Sequence, residues 1–153
     1  MLGISRQTDY AVRVVLHLAC LGEGAQVSIG EIAESRELPM PFVRRLIKPL
    51  VARGILASAR GSAGGIRLAK AAGSISLLEV VEAMEGGMAL NHCVEGHKGC
   101  PLAKGCPVQS VWAGATQVLQ DHLEGVRFDA LALGPNGHVV AHRKLQGAAK
   151  GAE

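Results

Sequence analysis

Apolar residues recur at helical spacing from the start of the chain. Tyr10, Val14, Val15, Leu18 and Ala19 fall on one side of a helix that Ser5 can cap and that runs to about Leu21 before Gly22-Glu23-Gly24 ends it. Ser28, with Glu31 three residues on, has the form of a capping box and predicts a second, short helix over roughly 29–36. Leu38-Pro39-Met40 reads as a turn, and Pro41 suits the first residue of a third helix. That helix places Val43, Leu46, Ile47 and Leu50 on one face, with Gly54 as its stop. Pro49 lies inside it, removes one hydrogen bond and is expected to kink it. The period then changes. Residues 55–58 read as a strand, Gly61 to Gly65 as a tight turn, and 66–69 as the returning strand. Ser76 caps a helix over 77–84, with Glu79 in position for a second capping box. Gly86-Gly87 breaks the chain before a cysteine-containing loop. A long helix follows from Pro107 to about Leu123, with Val108, Val111, Trp112, Ala115, Val118 and Leu119 as its apolar stripe. Residues 134–153, rich in Gly, Ala and Lys, are expected to form a disordered tail.

Helix, helix, turn, helix and a glycine-tipped hairpin occur in the order of a winged helix-turn-helix. The expected fold is therefore mainly α, with a small β-hairpin wing, a cysteine-rich loop and a long C-terminal helix. Three regions follow: 1–72 as the reading module, 73–133 as loop and long helix, and 134–153 as tail.

Charge sharpens this picture. Net charge is only +3, but eight of the 16 Lys and Arg residues lie between Arg36 and Lys70, where Glu37 is the one acid within the stretch. Such a patch is either a solvated basic face or a footprint for phosphate. Arg44, Arg45 and Lys48 lie within about 100° of one another opposite the apolar face of the third helix. They are candidates for base or phosphate contact in a major groove. Arg60, Gly64 and Arg67 flank or form the wing tip, where a close approach to a phosphate or minor groove is possible. Ser28 and Pro41, at two helix starts, complete the candidate DNA-binding set. Phe42 could touch a thymine methyl but reads more simply as core.

Composition narrows the classes. With 48% hydrophobic but only 3% aromatic residues, the core must come from Leu, Val, Ile and Ala. No segment approaches the roughly 20 apolar residues of a membrane span, and no signal-peptide pattern opens the chain, so a cytoplasmic protein is expected. No nucleotide-binding glycine loop and no convincing Ser/His/Asp arrangement occurs. The glycines at 61–65 lie between strands, not before a helix, so an enzyme is not expected.

Cys93, Cys100 and Cys106 are spaced Cys-x6-Cys-x5-Cys in a loop rich in Gly and Pro, with Lys98 and Lys104 to offset thiolate charge. In a reducing compartment such clustering points to metal binding or catalysis over disulfides. The short paired knuckles of structural zinc sites are missing. Iron–sulfur clusters, [2Fe–2S] or [4Fe–4S], are held by thiolates at wider spacing. Zinc, or three simple thiols, remain alternatives. Three cysteines are one ligand short of four. His92 and His97 are candidates for the fourth place. Cys20 reads as a small core residue and His17 as a surface or packing residue.

Taken together, these stretches resemble the winged-helix iron–sulfur regulators that include IscR, NsrR and RirA. The resemblance rests on Thr8-Asp9-Tyr10-Ala11-Val12-Arg13, on Ser28-Ile29-Gly30-Glu31-Ile32-Ala33 and on Leu50 with Gly54-Ile55-Leu56. It rests most specifically on Arg60-Gly61, Gly64-Gly65-Ile66-Arg67-Leu68-Ala69, and on the three-cysteine loop followed by Trp112. It covers about residues 1–133. It implies a homodimer in which the long helices cross, a double-stranded DNA operator, and cluster ligation by Cys93, Cys100 and Cys106. In the IscR-like branch a histidine follows the last cysteine by three residues, and Gln109 stands there instead. In the NsrR-like branch, favoured here over the IscR-like one, an aspartate donated by the partner subunit can close the site; Asp9 occupies its position, and a carboxylate would make a labile ligand there. The expected function is an iron–sulfur-dependent regulator, by family default a repressor, that responds to nitric oxide, redox state or iron status. A regulator of the same fold with a zinc or thiol-redox loop is the nearest alternative; an iron–sulfur electron-transfer protein is another.

Overall fold

The computed structural model describes residues 3–59, 61, 64–95, 100 and 105–134. Their helices are α1 (Arg6–Leu21), α2 (Ile29–Ser35), α3 (Met40–Ala52), α4 (Leu77–Glu85), α5 (His92–Glu95), α6 (Pro107–Gly125) and α7 (Phe128–Leu133). Strands β1 (Leu56–Ala59) and β2 (Gly65–Leu68) pair antiparallel, with Leu56 opposite Leu68 and Ala59 opposite Gly65. The architecture is the mainly helical winged helix-turn-helix that the hydrophobic pattern predicts.

Local chemistry sets most of the boundaries. Ser5 accepts the Thr8 N–H at the start of α1. Ser28 and Glu31 close both bonds of a capping box on α2, at 3.2 and 2.7 Å. α3 ends in a Schellman motif: Gly54, at φ +69°, donates to the Val51 carbonyl, and Ile55 donates to that of Leu50. Pro49 does not end α3, which continues to Ala52. The second capping box does not close. Ser76 accepts the Glu79 N–H as expected, but the Glu79 carboxylate takes Lys70 Nζ at 2.7 and 2.9 Å. An ammonium within reach competes successfully with an amide N–H for a carboxylate.

Helix α1 is the centre of the molecule and packs on α3, α4 and α7. Val14, Val15 and Leu18 from α1 meet Val43, Leu46 and Leu50 from α3, all essentially inaccessible. The same core takes in Ile75, Val80 and Phe128, so α4 and α7 are built onto the helix-turn-helix through shared apolar contacts. His17 is buried in this region, a packing residue. Cys20 is only half-buried, and its sulfur receives an Arg36 N–H at 3.8 Å. The wing is anchored by a third chain segment: Val27 and Ile66 exchange backbone hydrogen bonds of 3.0 and 2.8 Å. Gly65 makes this approach possible, since a Cβ there would lie 2.8 Å from the Val27 carbonyl oxygen. No helix among the described residues is long and apolar enough to cross a membrane.

Candidate nucleic-acid interface and cysteine segment

Burial of one face of α3 forces its other face outward. Arg44, Arg45 and Lys48 are all exposed there, with Pro41 in the first turn. Arg44 and Lys48, one turn apart, face an open groove of about 750 Å³ between α3, the start of α2 and the wing. Ser28 and Gly64 line the same groove, as do Gly30 and Met40, neither of which the sequence singles out for DNA contact. Met40 contacts an Arg44 N–H through its sulfur at 3.6 Å. Arg67 does not line it. Strand alternation buries Ile66 and turns Arg67 to the opposite, exposed face of the hairpin, where it lies against the Leu68 carbonyl at 3.4 Å. Arg60 and His97 lie outside the described residues.

The Ser28 hydroxyl is committed to its helix as well as bordering the groove. The hydrogen bond from the Ser28 N–H, followed by that of its hydroxyl, holds the Glu31 carboxyl below the usual carboxylate range. Phe42 is not core: it is 36% exposed, on the outer side of α3.

Cys93, Cys100 and Cys106 do not line this groove. Cys93 is in α5, Cys106 immediately precedes α6, and Cys100 is exposed; none of the three is in a disulfide. Among the described residues no three His, Cys, Asp or Glu side chains converge on a point where a metal ion could sit. Asp9 lies instead in an exposed ion pair with Arg13 at 3.0 Å, one turn along α1. His92 is exposed at the start of α5.

Helix α6 carries a polar seam that sequence reading did not register. Gln109 donates to the Cys93 carbonyl at 3.0 Å, Thr116 accepts the Leu90 N–H at 3.1 Å, and Gln120 donates to the Met88 carbonyl at 2.8 Å. Seven- and four-residue steps put these three side chains on one helical face. The backbone leading to Cys93 is thereby fastened along α6. The apolar stripe of α6 is left uncovered within the chain: Val111 is 64% and Val118 70% exposed, and only Thr116 of the whole helix is buried.

A cationic third helix on a three-helix core, beside a glycine-tipped hairpin, defines a winged-helix DNA-binding protein. The chain belongs to the Rrf2 family, described as iron-dependent transcriptional regulators, whose profile matches residues 4–133. Protein aau3 of Rhizobium meliloti (strain 1021) is 33% identical over 129 residues, spanning 84% of this chain and 83% of its own. The HTH-type transcriptional regulator IscR of Cronobacter sakazakii (strain ATCC BAA-894) is 28% identical over 141 residues, 88% of this chain and 86% of its own. Among solved structures, CymR, the global cysteine regulator of B. subtilis, shares the fold with a TM-score of 0.70 at 23% identity, covering 86% of this chain and 97% of that one. The protein is accordingly a DNA-binding transcriptional regulator of the Rrf2 family, IscR-like, and not an enzyme.

Proposed function

We propose that the protein is a homodimeric, cytoplasmic iron–sulfur regulator, most simply a repressor, that reads a two-fold operator and is switched by nitric oxide, redox state or iron supply. The observation that carries this reading is the polar seam of α6. It ties the segment bearing Cys93 to a helix that is preceded immediately by Cys106 and exposes an apolar stripe suited to a second copy of the chain.

Cys93, Cys100 and Cys106 fit an iron–sulfur cluster by donor chemistry: three free, at least partly accessible thiols, two of them at the ends of helices joined by the Gln109 bond. Asp9 of the partner subunit is the proposed fourth ligand, and its carboxylate would have to leave Arg13 to serve. When bound, the cluster would supply iron open to redox change and to attack by small molecules. Thiolates engaged in this way would hold the 93–106 segment closed against the start of α6. Their release would loosen the seam and, through the core that α4 and α7 share with α1 and α3, change the spacing of the two third helices. Half-sites on a duplex require a fixed spacing, so affinity would fall or shift to another sequence. In that complex Arg44, Arg45 and Lys48, with Ser28, Pro41 and Gly64, would face the major groove, and Arg60 and Arg67 would meet the backbone or minor groove. Residues 1–72 would then carry reading and 73–133 sensing and dimerisation.

Anaerobic reconstitution, absorption and Mössbauer spectroscopy, and titration with nitric oxide while operator binding is followed test this directly. Operator affinity should change as the visible bands bleach; constant affinity through complete bleaching would reject the switch. The same three accessible thiols also suit zinc or thiol oxidation, and a colourless, zinc-containing protein would favour that second reading.

A further inference from the structure

Four side chains from two helices form a continuous chain of ring contacts that runs outward from Tyr10, which packs against the core. On α3, the Arg45 guanidinium lies over the Phe42 ring, 5.7 Å from its centroid. The Phe42 ring meets Tyr10 of α1 edge-on, with centroids 6.0 Å apart and planes at 89°. The Arg13 guanidinium lies 6.0 Å from the Tyr10 centroid, and Arg13 is itself held by Asp9. Tyr10 precedes Ala11, which is completely buried, so this end of the stack stands on the most firmly packed helix of the molecule.

The placement of Phe42 has a consequence for Arg45. An arginine on an exposed helix face samples many rotamers, and a bidentate base contact must freeze them. A ring fixed at three residues' distance removes part of that freedom beforehand, while the guanidinium keeps its peripheral N–H donors. Arg44 has no comparable support, only the soft Met40 sulfur. Lys48, on the groove side, lacks the planar group that stacking needs.

We propose that Phe42, braced by Tyr10, is a positioning residue that presents Arg45 for base contact and so sets sequence discrimination without adding to general DNA affinity. This rests on the reading of α3 as the helix that enters the groove. The test uses a duplex selected by the wild-type protein from a randomised pool, and an unselected duplex of equal length. The ratio of the two dissociation constants is the readout. Phe42→Leu should lower this ratio about two- to five-fold, the size of an exposed cation–π contact, and leave unselected binding unchanged. Phe42→Tyr should keep the ratio, and Tyr10→Leu should lower it. In an Arg45→Ala background, Phe42→Leu should have no further effect. Losses from Phe42→Leu and Arg45→Ala that simply multiply, or a Phe42→Leu loss equal on both duplexes, would overturn the positioning role. An Arg45→Ala variant with an undiminished ratio would overturn the Arg45 base contact and this role with it, whereas Arg44→Ala and Lys48→Ala variants that also bind both duplexes as wild type does would overturn the reading of α3 itself.

Discussion

Glu85 is the last residue of α4, and its carboxylate gathers the start of α1. It accepts the Thr8 hydroxyl and the Ser5 N–H, while Ser5 and Thr8 also bond to one another at 3.0 Å. The Thr8 bond first, and then Ser5, hold the Glu85 carboxyl below its ordinary value of 4.5. The sign of the pH effect follows. A group whose folded-state pKa is depressed stabilises the fold above its unfolded pKa and loses that contribution as pH falls through the folded value. Glu85→Gln should therefore lower the thermal midpoint at neutral pH, and the gap to wild type should narrow below about pH 4.5. A gap that stays constant from pH 7 down to pH 3 would show that the carboxylate charge plays no part. Nothing near Glu85 in the chain announces this role, because its partners are 77 and 80 positions away.

Helix ends were the most legible features in the amino-acid order. The Ser5, Ser28 and Ser76 caps all form, since each is decided within a single turn of backbone. The stop at Gly54 is of the same kind. Its φ of +69° is left-handed, and its N–H and that of Ile55 satisfy two of the last carbonyls of α3. Gly54→Ala should destabilise the protein by about 1–2 kcal/mol, read as a lower urea midpoint at unchanged m-value, with Gly54→Asn intermediate. Equal midpoints for all three proteins would mean the turn tolerates a Cβ. The second capping box failed for a reason outside its own turn: Lys70, nine residues before Glu79, captured the carboxylate. The short helix α7 was missed because it has six residues and no side-chain cap, so neither length nor capping chemistry marks it.

Seen as a whole, the molecule has one covered side and one uncovered one. Apolar residues of α3, α4 and α7 close over α1, whereas α6 leaves Val108, Val111 and Val118 more than half exposed. A second copy crossing on this face is the proposed occupant. Val111→Asp with Val118→Asp should convert the protein to monomers in sedimentation velocity, since buried unpaired carboxylates are strongly unfavourable. Operator affinity should fall about 100-fold or more as the two half-sites cease to be bound together. A doubly substituted protein that still sediments as a dimer would place the interface elsewhere.

The basic face of α3, the apolar face behind it, the wing and the three-thiol segment could all be recognised from residue order, because each depends on spacing within a few turns. Which cations share the groove could not: Arg44 and Lys48 do, and Arg67 is carried away by strand alternation once the register of β2 is set. Val27 joining the wing, Phe128 reaching the core, Phe42 bracing Arg45 and Glu85 holding α1 depend in the same way on surfaces that meet only after the helices pack. Short-range backbone geometry is encoded locally, whereas the choice among distant, chemically equivalent partners is made by packing.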